Sequence, residues 1–411
     1  MSMNDYSVAR PTSEEKGIAL AFTLIAITST LAINHADSTI PEREYVWMAH
    51  SLMAMSLLFL LFKIVIKYSV IYAKWLFAIF LFWYFVTAFY VYRSPDISLN
   101  LSTISALLIF CCFNRRIWIF SYRLYYKYMV LMSAVGILAF LSLYLPVIDL
   151  PRVVCPYYGD RLSDSYLYYD YYFSYIVVMG PFARLCGLFN EPGYFGTFLA
   201  LILAAENFNM KRLGNKILMT AGVFTFSVAF FVTLLLFFVL RLVVTGNFKI
   251  IIGGILLLVM VAILGAENEN VAHLMERFTF IDGKLAAINR TGSSFDYFFD
   301  RFIRTPRLFL GYGRGYLESH QEIGNLSYKT YLVEYGLVAC LIFWGGLFYN
   351  AVKYSERNRV AVIFAVLFMI NIYQRPGIFV FGYMLLLFGG VCHIVANSQS
   401  KPAALPDDGN L

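Results

Sequence analysis

Apolar runs long enough to cross about 30 Å of hydrocarbon recur along almost the whole chain. They fall at 17–33, 46–66, 70–92, 97–113, 128–148, 194–205 with its flanks, 250–265, 331–352, 360–373 and 378–396. Inside lipid, a spanning segment must satisfy its backbone polar groups internally, so each run reads as a membrane helix. Composition agrees: 60% of the 411 residues are hydrophobic and 14% are charged, far from the balance of soluble globular domains. The expected fold is an all-α polytopic membrane protein, one integral membrane domain over 1–411.

The stretch 217–244 is longer than one span needs. It is either one tilted helix or two short passes broken around Thr225-Phe226-Ser227. Basic turns decide between them, because cytoplasmic loops collect Lys and Arg. Lys63, Lys67 and Lys74 mark one such turn, Arg115, Arg116, Arg123 and Lys127 a second, and Lys211, Arg212 and Lys216 a third. Lys353, Arg357 and Arg359 mark a later one, and parity then requires 217–244 to cross twice. The expectation is about 12 transmembrane helices, within a range of roughly 10–13, with both termini cytoplasmic. The first run follows Glu14, Glu15 and Lys16 and lacks a small-residue cleavage signature, so it is read as a retained span. Two large segments, 149–191 and 266–329, fall on the outer side, and 398–411 is a short polar cytoplasmic tail. Both outer segments are rich in aromatics, which suits short helices lying at the interface rather than disordered linkers. The net charge of +7 is small and scattered, which is topology information and not a nucleic-acid footprint. The six cysteines show no metal spacing and no disulfide framework. No His, Asp or Glu cluster stands at helical spacing, so neither a metal site nor a cofactor is expected.

Polar chemistry concentrates in the outer segments. Arg184, Glu191 and the Pro192-Gly193 break sit just before the run at 194–205. A charge at the bilayer centre costs roughly 2.5–3.5 kcal/mol, so such groups face a protein-lined cavity. Glu191 is a general-base candidate if burial against Phe189 and Tyr194 raises its pKa, or a structural partner of Arg184, which would lower it. Further on, Arg290, Arg301, Arg304, Arg307 and Arg314 lie close in sequence to His320. Arginine offers a planar fork that matches phosphate oxygens, and histidine titrates near neutrality and can take a proton from an attacking hydroxyl. Ordinary loop pairing and headgroup contact remain the alternative for each arginine. Gly311-Tyr312-Gly313-Arg314-Gly315 has no preceding strand and no following Lys-Ser/Thr, so it is a flexible turn and not a nucleotide loop. The run 157–175 is dense in tyrosine, the residue of membrane interfaces. Its sharper reading makes Tyr168 and Tyr172 stack on sugar faces while Asp170 accepts bonds from sugar hydroxyls.

Two stretches together resemble the Wzy-type O-antigen polymerases and their relatives, the O-antigen ligases. One is Arg184 followed by Gly187-Leu188-Phe189-Asn190-Glu191-Pro192 and Gly196 ahead of a span. The other starts at Arg290-Thr291-Gly292-Ser293-Ser294, passes Gly311-Tyr312-Gly313 and His320, and enters a span through Leu332-Val333-Glu334-Tyr335-Gly336-Leu337. About a quarter of the chain carries the likeness. It implies a metal-independent glycosyltransferase of the bacterial inner membrane that takes undecaprenyl-pyrophosphate-linked oligosaccharides. Its partners would be membrane lipid, a chain-length regulator and a flippase. By the same resemblance, Arg184 and Arg290 hold the pyrophosphate, with Arg301 and Arg314 as further candidates, and His320 or Glu191 activates the acceptor hydroxyl. Ligases commonly place Asn directly after the histidine; Gln321 stands here, which favours polymerisation of repeat units over ligation. A lipid-linked sugar transporter is the alternative from another class.

Overall fold

The computed structural model describes residues 11–30, 44–67, 71–92, 101–145, 150–158, 165–179, 182–189, 191–245, 280–281, 284–285, 293–317, 319–320, 328–374 and 380–399. The expected span at 250–265, Arg290 and the polar tail after 399 lie outside these residues.

Helices dominate. In chain order they are α1 (Ser13–Thr30), α2 (Glu44–Lys67), α3 (Lys74–Phe89), α4 (Leu101–Phe110), α5 (Arg115–Ser142), α6 (Pro192–Ala205), α7 (Leu213–Phe224), α8 (Val228–Thr245), α9 (Ser293–Phe302), α10 (Arg307–Leu310), α11 (Tyr328–Tyr354), α12 (Arg359–Gln374) and α13 (Phe381–Gln399). Four described helices are long and apolar enough to cross a membrane: Met48–Ile66 of α2, α5, α11 and α13. Shorter apolar helices are Lys74–Phe89, Pro192–Ala205, Val228–Val244 and Arg359–Asn371. The apolar window of α13 is 83% buried within the protein, against 17% for α2. α2 instead turns Met55, Leu58, Phe62 and Val65 outward, a continuous apolar face that water would penalise and lipid would cover.

Local chemistry explains the boundaries. α5 begins at Asn114, whose side chain accepts the Ile117 N–H at 3.2 Å, and α6 begins with Pro192 in its first turn, where no N–H is needed. The core is aromatic. Trp118 stacks on Phe110 at 4.6 Å and donates its indole N–H to the Phe110 carbonyl at 3.0 Å. The long apolar stretch at 217–244 is divided into α7 and α8, and the break falls at Thr225–Ser227, with Phe226 at φ 43°.

The first of the two segments expected outside corrects the all-α expectation. Residues 153–187 form an antiparallel four-stranded meander, β1 (Val153–Tyr158), β2 (Ser165–Asp170), β3 (Tyr175–Met179) and β4 (Phe182–Gly187). Its strands are rich in tyrosine and β-branched residues, such as Tyr168-Tyr169 and Ile176-Val177-Val178, which suit a pleated surface better than a helix. Tyr169, Ile176 and Leu185 share the face that joins the main core. A Cβ on Gly136 of α5 would sit 3.1 Å from the Leu185 side chain, so the sheet lies directly on that helix. In the second segment expected outside, the described residues include the short helices α9 and α10 and a two-stranded pair, Phe280–Ile281 with Lys284–Leu285. α9 buries Phe295, Phe299 and Phe302 while Asp300 and Arg301 stay exposed.

Candidate functional site

The arginine-bearing motif at 183–196 becomes a strand, a turn and a helix start. Register places Tyr168 of β2, Val177 of β3 and Arg184 of β4 in one cross-strand row, so Tyr168 and Arg184 share a face about 10 Å apart. Arg184 is only 9% exposed. Its Nε donates to the Thr225 carbonyl at 3.0 Å and a terminal nitrogen donates to the Phe226 carbonyl at 3.3 Å. These are carbonyls at the α7–α8 break, where helix ends leave acceptors without intrahelical donors. Gly196 completes the junction: a Cβ there would stand 3.0 Å from both Thr225 and Ser227 side chains. Cys186 lies within reach of both charges. Burial pushes its thiol up, Arg184 draws it down and Glu191 pushes it up further.

Glu191 ends up at the N-cap of α6, and its own carbonyl receives the Tyr194 and Phe195 N–H groups. It is exposed, so the burial that was to tune it as a base is not there; Phe189 instead packs on Tyr194, Phe195 and Phe198. Asp170 is wholly buried, and its Oδ1 accepts the Tyr172 N–H at 2.7 Å. It builds the β2–β3 turn, which holds Tyr172 at φ 68°. Tyr172 is exposed and Tyr168 half-buried beside Tyr175, Val177 and Cys186.

Removing the Arg184 side chain leaves the buried Thr225 carbonyl without that donor, at about 1–3 kcal/mol, and the part-buried Phe226 carbonyl at less. Arg184→Ala should therefore lower the thermal midpoint of the purified protein by several degrees and reduce its accumulation. Arg301→Ala, at an exposed position, should leave both unchanged. Thermal unfolding in detergent distinguishes them, and an unshifted midpoint for Arg184→Ala would refute the capping role.

The second centre is built on α11. Its helix is broken at Gly336, which sits at φ 76°, ψ 166°, and the break frees the Val333 and Glu334 carbonyls. The glycine turn takes them up: Tyr312 N–H donates to Val333 and Gly313 N–H to Glu334, both at 2.8 Å. The Glu334 carboxylate accepts the Gly315 N–H at 3.0 Å. On its other side the turn meets the chain just past α3, where Arg314 N–H donates to Tyr90, Tyr92 N–H donates to Arg314, both at 2.9 Å, and the Tyr90 hydroxyl donates to Gly311. The turn is thus pinned and not flexible. The Arg314 guanidinium reaches the Thr87 carbonyl in the last turn of α3 at 3.4 Å.

From this pinned turn rises an aromatic column. Tyr312 stacks on Tyr316 at 4.2 Å and Tyr316 on His320 at 4.3 Å, with Phe298 of α9 alongside Tyr316. Burial, with Tyr312 and Tyr92 nearby, pushes the Tyr316 phenol above its usual value. His320 is exposed, and its Nδ1 lies 2.8 Å from the Tyr316 carbonyl and 3.0 Å from the Ser319 hydroxyl. A carbonyl only accepts, so in the neutral ring Nδ1 carries the proton and Nε2 is the basic nitrogen. Arg301 is exposed and lies over the Tyr297 ring at 5.2 Å; Arg304 and Arg307 are exposed as well.

The predicted residues therefore divide into two packing units. Arg184, Glu191, Tyr168, Asp170 and Tyr172 belong to the sheet and the α6–α8 junction. Arg301, Arg314 and His320 belong to the cluster around Phe295, Phe299 and Val333, which is separate from the main core.

A third polar group was missed from sequence. Glu206, just after α6, is 6% exposed; its carboxylate meets His393 of α13 at 3.0 Å, accepts from the Tyr122 hydroxyl at 3.2 Å and pairs with Arg212. Burial raises its pKa, but His393 and Arg212 outweigh burial and bring it below the usual carboxylate value. The available signal was His393 itself, an ionisable residue inside an apolar run.

Comparison with known proteins gives no further identification: no family model matches the chain, no curated protein matches it, and no solved structure matches it.

Proposed function

We propose that this protein polymerises glycan repeat units carried on undecaprenyl pyrophosphate, at the periplasmic face of a bacterial inner membrane that it crosses about 12 times. The observation that carries the reading is His320. It is an exposed imidazole with Nδ1 occupied by the Tyr316 carbonyl and Nε2 left basic, in a segment crowded with arginines.

In the proposed step a hydroxyl oxygen of the acceptor sugar attacks the anomeric carbon of the donor glycan. The new C–O bond forms as the anomeric C–O bond to phosphate breaks, and the lipid pyrophosphate leaves with the electron pair. His320 Nε2 takes the hydroxyl proton. Arg290, Arg301 and Arg314 stabilise the charge that grows on the leaving group, the kind of preorganised electrostatic help that dominates many enzymes. Arg184 acts as a positioning residue that fixes the sheet against the α7–α8 break, and Tyr168 and Tyr172 offer ring faces for sugars.

Deleting the gene and resolving surface glycan on a gel tests the proposal. The expected result is loss of long chains while single repeat units remain attached to their anchor. Loss of all attached glycan would assign the chain to ligation. Long chains persisting unchanged would refute both.

A further inference from the structure

A groove of about 510 Å³ runs between the C-terminal end of α8 and the N-terminal end of α12, a volume within the range of small-molecule sites. Leu240, Val243 and Val244 form one wall and Val362 part of the other, while Arg357 and Arg359 stand among the lining residues. Val243 is 77% exposed, so the trough presents apolar surface to whatever lies in it. Both arginines are exposed, and among the described residues neither is paired with a carboxylate. Their neighbour Glu356 is engaged elsewhere, by Arg115 of α5 and by the Gln399 amide at 3.2 Å. The first amides of α12 are also occupied: Asn358 Oδ1 accepts from Val360 and Ala361 at 3.0 and 3.1 Å, and the Asn358 carbonyl accepts from Val362.

We infer that this groove binds an anionic phospholipid, its phosphate held by Arg357 and Arg359 and an acyl chain lying along the α8–α12 trough. Guanidinium forks match phosphate oxygens, and basic pockets between membrane helices suit anionic headgroups. A zwitterionic lipid would bring a cation against two arginines. The chain's own apolar stretch at 250–265 contains no acidic residue to meet them. The basic turn 353–359 is on the side expected to be cytoplasmic, so this site lies apart from the proposed glycan chemistry and does not depend on it.

Native mass spectrometry of the full-length protein in mild detergent tests the inference, with phosphatidylglycerol and phosphatidylcholine of matched chains as probes. Phosphatidylglycerol should bind at least about tenfold more tightly, and the Arg357→Gln/Arg359→Gln double variant should abolish the difference. Val362→Trp, which fills the trough without touching charge, should also weaken binding. Lys211→Gln/Lys216→Gln, in a different basic turn, should leave it intact. Equal affinity for the two lipids, or an unchanged double variant, would overturn the proposal. Displacement by millimolar inorganic phosphate would reduce the site to an ion site and overturn the lipid assignment. A photo-cross-linker at Val243 should label lipid; cross-linking to residues of the chain itself would show that protein covers the trough.

Discussion

His320→Ala should abolish glycan extension while the protein still inserts and accumulates at the wild-type level. The side chain is exposed, so truncating it costs little burial and breaks its local bonds to Tyr316 and Ser319, its stack on Tyr316 and a tilted ring contact with Tyr92 at 5.9 Å. The loss falls on proton removal, a contribution of roughly 10²- to 10⁴-fold in rate. His320→Gln should be as inactive, because an amide nitrogen accepts no proton near neutrality. Chain-length gels from a deletion strain carrying each variant give the readout, with membrane abundance as the control. Full-length chains from either variant would remove His320 from the chemistry.

Gly336→Ala should also abolish extension, by a different route. At φ 76° and ψ 166° the backbone occupies a region essentially open to glycine alone. A Cβ there would run into the Leu310 and Phe309 backbone and stand 2.6 Å from the Gly311 nitrogen. Gly311 faces the same constraint in return, with the Glu334 carbonyl oxygen 2.5 Å from its own Cβ position. Two backbones meet here, so no rotamer change relieves the clash. The turn that carries Arg314 and leads to His320 must leave α11, and its bonds to Val333 and Glu334 go with it. The expected signature is inactivity together with faster proteolysis within 293–320. Gly345→Ala on the same helix should be silent, since nothing lies within 4 Å of its Cβ position. Wild-type protease resistance in Gly336→Ala would show that the turn does not depend on this contact.

Legibility in sequence followed the range of each interaction. The apolar helices and the break at Thr225–Ser227 were readable because hydrophobic run length and basic turns are local properties. α9 was readable because its aromatics recur at helical spacing. The sheet at 153–187 was not, since a run such as Tyr166 to Tyr175 satisfies an interfacial helix and a strand equally until its partners are known. Gly336 stood inside the quoted motif, but its reason, the backbone approach of Gly311, connects residues 25 positions apart in the numbering. Arg184 was visible as an unusual charge just ahead of an apolar run; that it serves helix-end carbonyls emerges only when β4 and the α7–α8 break are side by side.

The central claim is glycan extension on a lipid pyrophosphate. Purified protein reconstituted in liposomes with undecaprenyl-pyrophosphate-linked repeat units should convert them into a ladder of longer chains and release lipid pyrophosphate at each step. Repeat units that stay single, or that only change leaflet without elongating, would contradict it.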